Sequence, residues 1–197
     1  MRVRVPPCPP KTMTILTICG SLRKGSYNKM LLRAAADAAP AGTTFRAAEI
    51  GTLPLFNEDV ESVKFPAAVL KLQKAILKAD AILIASPEYN RSMTGVLKNA
   101  LDWISRGKYE EAFADKPVAI MGASSGNIGT AVGQSHLRVT LAHLGAVVMA
   151  QPEFHLGRAQ DKFSPTGKLT DARTTEFLKT FISAFFVHAR RYPQKTR

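Results

Sequence analysis

The run Ala81-Ile82-Leu83-Ile84-Ala85, bounded by Asp80 and Pro87, is the most apolar short stretch of the chain. A strand made wholly of apolar residues has no face to offer water. It belongs in a parallel sheet covered by helices on both sides. The polar turn Pro87-Glu88-Tyr89-Asn90-Arg91-Ser92 follows, before a helical pattern that runs through Trp103. In open α/β sheets, ligands bind just beyond the carboxyl ends of the strands. A planar cofactor is therefore expected at this turn.

The same strand, polar loop and helix unit occurs earlier. Ile15-Leu16-Thr17-Ile18-Cys19 reads as the first strand, and a helix is expected over 29–39, stopped by Pro40. The loop between them, Gly20-Ser21-Leu22-Arg23-Lys24-Gly25-Ser26-Tyr27-Asn28, suits an anion. Free N–H groups and the helix dipole point positive charge at it, Ser21, Ser26 and Asn28 can donate, and Arg23 can pair with a phosphate. A single terminal phosphate fits best. Neither a Walker A motif nor G-x-G-x-x-G is present, which disfavours an ATPase or a Rossmann dinucleotide site. The plainer reading is that Ser26 only caps the helix, and capping can coexist with phosphate binding.

Further along, 43–49 reads as a weak strand and 51–65 as a long loop. Glu58, Asp59 and Glu61 there are read as surface carboxylates, and no metal is assigned. Pro66 opens a helix with Val69, Leu72, Ile76 and Ala79 on its apolar stripe. The helix through Trp103 is apolar on two adjoining faces, Leu97, Leu101, Ile104 and Val96, Ala100, Trp103. That pattern fits either a subunit contact or a deep core helix. Val118-Ala119-Ile120-Met121 is the fourth strand, followed by the small-residue loop 122–129, a helix to about 144, and Ala146-Val147-Val148-Met149 as the fifth. Asp171 is expected to cap a last helix reaching about 189. Five strands alternating with helices predict an α/β, doubly wound, five-stranded parallel sheet in three layers.

At 197 residues the chain fits one domain, expected over 13–190. Residues 1–12 read as a flexible, basic, Pro-rich tail and 191–197 as a second flexible tail, with Met13 leaving an alternative start open. No apolar run approaches the roughly 20 residues that cross a bilayer. Cys8 and Cys19 form no metal or redox spacing, so the cytoplasm is the expected compartment. The net charge of +12 suggests anionic ligands, but no nucleic-acid-binding signature accompanies it.

Gly122-Ala123-Ser124-Ser125-Gly126 matches the G-x-S-x-G nucleophile elbow, and Asp161 with His188 would have to complete a serine hydrolase triad. The position of His188 in an amphipathic terminal helix and the shortness of the chain count against it. His136, His143 and His155 read as structural. No paired carboxylates, Cys–His pair or other self-sufficient catalytic set stands out. The chemistry then belongs to a bound cofactor, and the reading points to flavin.

Gly20-Ser21-Leu22-Arg23 with Ser26 and Asn28, followed by Pro87-Glu88-Tyr89-Asn90, Gly95 and Leu97-Lys98-Asn99-Ala100-Leu101-Asp102-Trp103, resembles the NAD(P)H-dependent FMN reductase family of quinone, chromate and azo-dye reductases. The resemblance covers roughly residues 13–186. It implies a flavodoxin-like fold and noncovalent FMN, with NADPH or NADH as electron donor and a quinone, flavin, chromate or azo-type molecule as acceptor. By the same resemblance Ser21, Arg23, Ser26 and Asn28 take the phosphate beside Tyr27. Pro87, Glu88, Tyr89, Asn90 and Arg91 line the isoalloxazine, flanked by Ser124, Ser125 and Gly126. A homodimer is implied, with a tetramer open. Val132 stands where relatives often carry an arginine two residues before Gln134, which predicts weaker higher-order assembly. A flavodoxin-like electron carrier without pyridine-nucleotide activity is the alternative, and the strongly basic charge disfavours it.

Overall fold

The computed structural model describes residues 12–194. Strands β1 (Thr14–Cys19), β3 (Ala81–Ala85) and β4 (Pro117–Ala123) form the centre of a parallel sheet, with β2 (Thr44–Ala47) at one edge. On the other side of β4 lie β5 (Val147–Val148) and β6 (Phe154–Leu156). Six strands replace the five expected, because one place in the sheet is filled by two short strands in succession. β5 pairs with Pro117 and Val118, β6 with residues from Met121 to Ala123. Pro152 between them has no amide to give the ladder. The fold remains the flavodoxin-like arrangement expected.

β3 is wholly buried, and its alternation divides the core into two layers. Ala81, Leu83 and Ala85 meet Leu31 and Ala35 of α1 (Tyr27–Asp37) and Phe181 and Phe185 of α6 (Ala172–Arg191). Ile82 and Ile84 face the other way, toward Val69, Leu72 and Ile76 of α3 (Ala67–Lys78), α4 (Gly95–Ile104), and Leu137 and Leu141 of α5 (Ala131–His143). Each large side chain buried this way stabilises by about 1.5–3 kcal/mol, so the strand anchors the site at its end.

The two apolar faces of α4 belong to the chain's own core. Leu97, Leu101 and Ile104 are at most 1% exposed, which rules out a dimer resting on them. The sheet and α3 cover one side. The 51–65 segment covers the other, and instead of a plain loop it contains a short helix, α2 (Glu58–Val63). Asn99 Nδ2 and Trp103 Nε1 both donate to Pro54 O at 2.8 Å, while Phe56 N donates to Asn99 Oδ1 at 2.7 Å. Glu58 pairs with Arg106 at 3.2 Å, as a surface carboxylate would.

Asp171 caps α6 by accepting from Thr174 N at 2.8 Å. Hydrogen bonds from Thr174, helped by Lys162, hold its carboxyl down at about 2. The helix runs on to Arg191, and Gln194 Nε2 donates to Asp115 O at 2.9 Å, so the chain expected to be a flexible tail from 191 is tied down through 194. The rest of the two expected tails, residues 1–11 and 195–197, lies outside the described residues.

Candidate active site

The carboxyl ends of β1, β3 and β4 are locked to one another before any loop begins. Gly20 N donates to Ala85 O at 2.8 Å, and Thr94 Oγ1, at the amino end of α4, donates to Gly20 O at 2.7 Å. A side chain at Gly20 would come within 2.6 Å of Ser86 Oγ, and one at Gly122 within 2.5 Å of Ser86 O. Only glycine allows these strand ends to approach so closely.

Out of this junction comes the 20–28 loop. The amides of Leu22, Arg23, Lys24 and Gly25 donate to no protein acceptor among the described residues. Ser21 and Ser26 are buried, whereas Arg23 and Lys24 are exposed, and Arg23 has no ion-pair partner among the described residues. Ser26 also caps α1, accepting from Lys29 N at 3.4 Å, and the first turn of α1 carries no acidic residue. Unmet amides, two hydroxyls, a free guanidinium and an uncompensated helix dipole fit a phosphate.

Asn28 takes a different place from the one expected. Its Nδ2 donates to Ala123 O at 2.8 Å and Ala123 N donates to its Oδ1 at 2.9 Å, both buried. The side chain is a strut between α1 and the end of β4, with a single amide hydrogen left over. Tyr27 stacks on Phe163 at 5.9 Å. Cys19 sends its thiol toward Ser21 O at 3.7 Å, and burial pushes that thiol up, so it is not a ready nucleophile.

Beyond β3 the chain makes a tight two-residue turn. Tyr89 N donates to Ser92 O and Ser92 N to Tyr89 O, both at 3.0 Å, with Asn90 at φ 50° and Arg91 at φ 63°. This is the left-handed pair of a type I′ turn, which favours Asn-Gly; arginine at the second place stores strain of about 1–3 kcal/mol. Straps from α5 hold it. Gly133 N donates to Glu88 Oε2 at 2.9 Å, and His136 Nδ1 lies 3.1 Å from Ser92 Oγ. Glu88 thus faces α5, while Tyr89, Asn90 and Arg91 are exposed.

The third wall is the loop after β4. Ser124 N donates to Leu156 O at 2.9 Å, Ala159 N to Ser124 O at 3.0 Å and Arg158 N to Gly126 O at 3.0 Å. Ser125 and Gly126 stay exposed on this brace. Ser124, Asp161 and His188 form no hydrolase triad: Ser124 Oγ donates to Gly129 O, Asp161 pairs with Arg158, and His188 Nε2 lies 2.8 Å from Val147 O. Val147 adjoins the start of β4 and Ser124 follows its end, a separation of roughly 20 Å along a strand of that length.

The chain that carries this junction and these loops is similar to known proteins. The model of the family described as NADPH-dependent FMN reductase matches residues 13–161. The chain belongs to that family. An NAD(P)H-dependent FMN reductase of Pseudomonas aeruginosa is 45% identical over 177 residues, spanning 90% of this chain and 95% of that protein. A 2-hydroxy-1,4-benzoquinone reductase of Burkholderia is 43% identical over 173 residues, 88% of this chain and 94% of its own. Among solved structures, the flavoenzyme NAD(P)H:(acceptor) oxidoreductase FerB from Paracoccus denitrificans superposes with a TM-score of 0.85 at 36% identity, covering 92% of this chain and all of that one. The protein is therefore an NAD(P)H-dependent flavin oxidoreductase whose cofactor is FMN.

Several residues of this reductase's site had no sequence signal strong enough to single them out. Thr94 caps α4 locally, accepting from Leu97 N at 3.4 Å, but its bond to Gly20 O and the ties made by Gly133 and His136 join distant parts of the chain. The brace from Leu156 to Ala159 is marked only by the short alternation Phe154-His155-Leu156 after Pro152.

Proposed function

We propose that this reductase binds FMN noncovalently between the 20–28, 86–92 and 124–130 loops and uses NADPH or NADH to reduce quinones. The observation that carries this reading is the meeting of an anion-ready loop and two hydrogen-bonded loops, 86–92 and 124–130, at the locked ends of β1, β3 and β4. FMN, when bound, supplies the redox chemistry, taking a hydride from the pyridine nucleotide and passing electrons to the acceptor. The chain does the holding. Ser21, Ser26, Arg23 and the amides of residues 22–25 grip the phosphate, and a charge-assisted bond of this kind contributes about 1.5–3 kcal/mol. Asn28 positions them from behind.

Pro87, Tyr89, Asn90 and Arg91 on one side and Ser124, Ser125 and Gly126 on the other would line the ring. Glu88 keeps the first wall in register with α5. Donor and acceptor use the same open face in turn, and no side chain need attack either. Quinones lead as acceptors because several relatives are named for reducing them; chromate, azo compounds and free flavin are tested beside them. Mixing the FMN-loaded protein with NADPH without oxygen should bleach the flavin, and 1,4-benzoquinone should restore its colour. A flavin that stays oxidised on a catalytic timescale would leave only the electron-carrier reading.

The same reading assigns the enzyme to the cytoplasm; among the described residues no helix is long and apolar enough to cross a membrane. With α4 buried, a homodimer contact moves to the α2 segment, where Leu55 is 83% and Val63 88% exposed. A tetramer is expected to be weak with Val132 in place of an arginine. Sedimentation over a dilution series checks both, and a Leu55→Asp variant that still dimerises would refute the α2 contact.

A further inference from the structure

We propose that the open edge of β2 docks an extended segment of a partner protein in which acidic and apolar residues alternate, adding it to the sheet as a further strand. β2 pairs on one side only, with β1. Thr44 N donates to Met13 O and Ala48 N to Thr17 O, so in this parallel ladder Phe45 and Ala47 turn their N–H and C=O groups outward. Free edges of this kind are templates for strand addition.

The helices reach past this short edge and leave a cleft on each face of the sheet. On the α3 side it measures 710 Å³ and is lined by Leu16, Leu70, Arg46, Lys71, Lys74 and Lys78, with no carboxylate among its lining residues. None of these four cations enters an ion pair among the described residues; Lys74 lies 6.0 Å over the Tyr109 ring. On the α1 side a cleft of 340 Å³ has Leu32, Ala36, Phe45 and Ala47 as its apolar surface, with Lys29 and Arg33 on one wall and Glu49 on the other. An added strand would send alternate side chains into the two clefts. Those facing α3 would meet four cations, and those facing α1 would meet Phe45 and Leu32. Acidic and apolar residues in alternation match both.

Charge also selects among occupants. Arg2-Val3-Arg4-Val5 of this chain alternates but carries the wrong sign, and a second copy of β2 would bring Arg46 toward the same lysines. Like charges at an edge keep copies of this basic chain apart, and the same charges draw an acidic strand in. The α3-side cleft reaches Thr14 and Lys78, at the end of the sheet opposite the flavin loops. That cleft is separable from catalysis; the α1-side cleft runs on to Ser21 and Leu22 of the first loop, which the variants below leave untouched.

The probe is a blocked Asp-Val-Asp-Val-Asp-Val peptide titrated into the FMN-loaded full chain and followed by amide chemical shifts. The Phe45 and Ala47 amides should shift, and binding should weaken with salt. Lys74→Glu with Lys78→Glu should weaken it at least about tenfold. Ala47→Pro, which removes an outward donor without touching the pairing to β1, should abolish it, with reductase activity unchanged in every variant. A Lys-Val peptide should not bind. The proposal is overturned if Phe45 and Ala47 do not respond, if Ala47→Pro binds as the parent does, or if polyaspartate blocked from strand pairing by prolines binds equally well, which would make the groove a plain polyanion surface.

Discussion

The 20–28 loop and the 87–92 turn flank the proposed cofactor site from neighbouring strands, yet they are built in opposite ways. The first is under-satisfied: amides from Leu22 to Gly25 lack acceptors, Arg23 is free, and the loop is held only at its ends by Gly20 and Asn28. The second is over-tied, with a strained backbone at Asn90 and Arg91 pinned by its own two hydrogen bonds and by Glu88 and Ser92. Unmet donors give affinity for a charge, because a phosphate completes them without rearrangement. A pinned turn offers a fixed surface, which would hold a planar ring in one place if the proposed site takes it. The contrast teaches where binding and orientation are divided.

The largest effect should come from the strut behind the first loop. Asn28→Leu leaves the buried N–H and C=O of Ala123 unpaired, at about 1–3 kcal/mol each. Denaturant unfolding should lose several kcal/mol and the flavin content should fall with it. Unchanged stability would mean that Asn28 is not the strut, and the comparison would lose one of its two held ends.

Arg23→Ala acts on the unmet side alone. FMN affinity should fall more than about tenfold, the equivalent of roughly 1.5–3 kcal/mol, with the melting temperature of the apo-protein unchanged. Titration of the apo-protein decides; an unaltered dissociation constant removes the phosphate assignment.

Arg91→Gly tests the pinned side with the opposite sign. Glycine is at ease in the left-handed region, so stability should rise by about 0.5–1 kcal/mol while turnover falls through a looser wall. A variant that is more stable and equally active would show that the strain has no part in orientation.

The smallest effect lies away from both loops and calibrates them. Asp171 is held at about 2, below the ordinary carboxylate value of roughly 3.9. Its contribution is therefore complete above pH ~4 and is lost as pH falls toward 2. Thermal unfolding of Asp171→Asn should begin slightly below the parent at neutral pH and show less acid sensitivity in that window, the two converging as pH falls toward 2. Equal acid sensitivity would remove Asp171 as a source of the loss.

Much of this was legible in the chain itself. β3 was found residue for residue because five apolar residues in a row allow only a two-sided burial, and Asp171 and Ser26 were found because capping chemistry is local. The recognition segments carried the family, yet the structure redistributed their roles. Asn99 and Trp103 fasten the 51–65 segment, Glu88 faces α5, and Asn28 braces β4. α4 shows the limit most plainly: a helix apolar on two adjoining faces must be covered on both, but its pattern does not say by what.

Residue type and spacing by themselves determined the central strands and the caps at Ser26 and Asp171, since each depends on composition or contacts within a few residues, and two sequence segments carried the resemblance to the family. Only the tertiary structure decided that a sixth strand braces the 124–126 loop, that α4 is core, and that the turn at Arg91 is strapped to α5. Those contacts join residues tens of positions apart, such as Glu88 with Gly133 and Asn28 with Ala123. A hydrogen-bonding side chain advertises its capacity in the sequence, but its partner is fixed only when the folded chain brings one within about 3 Å.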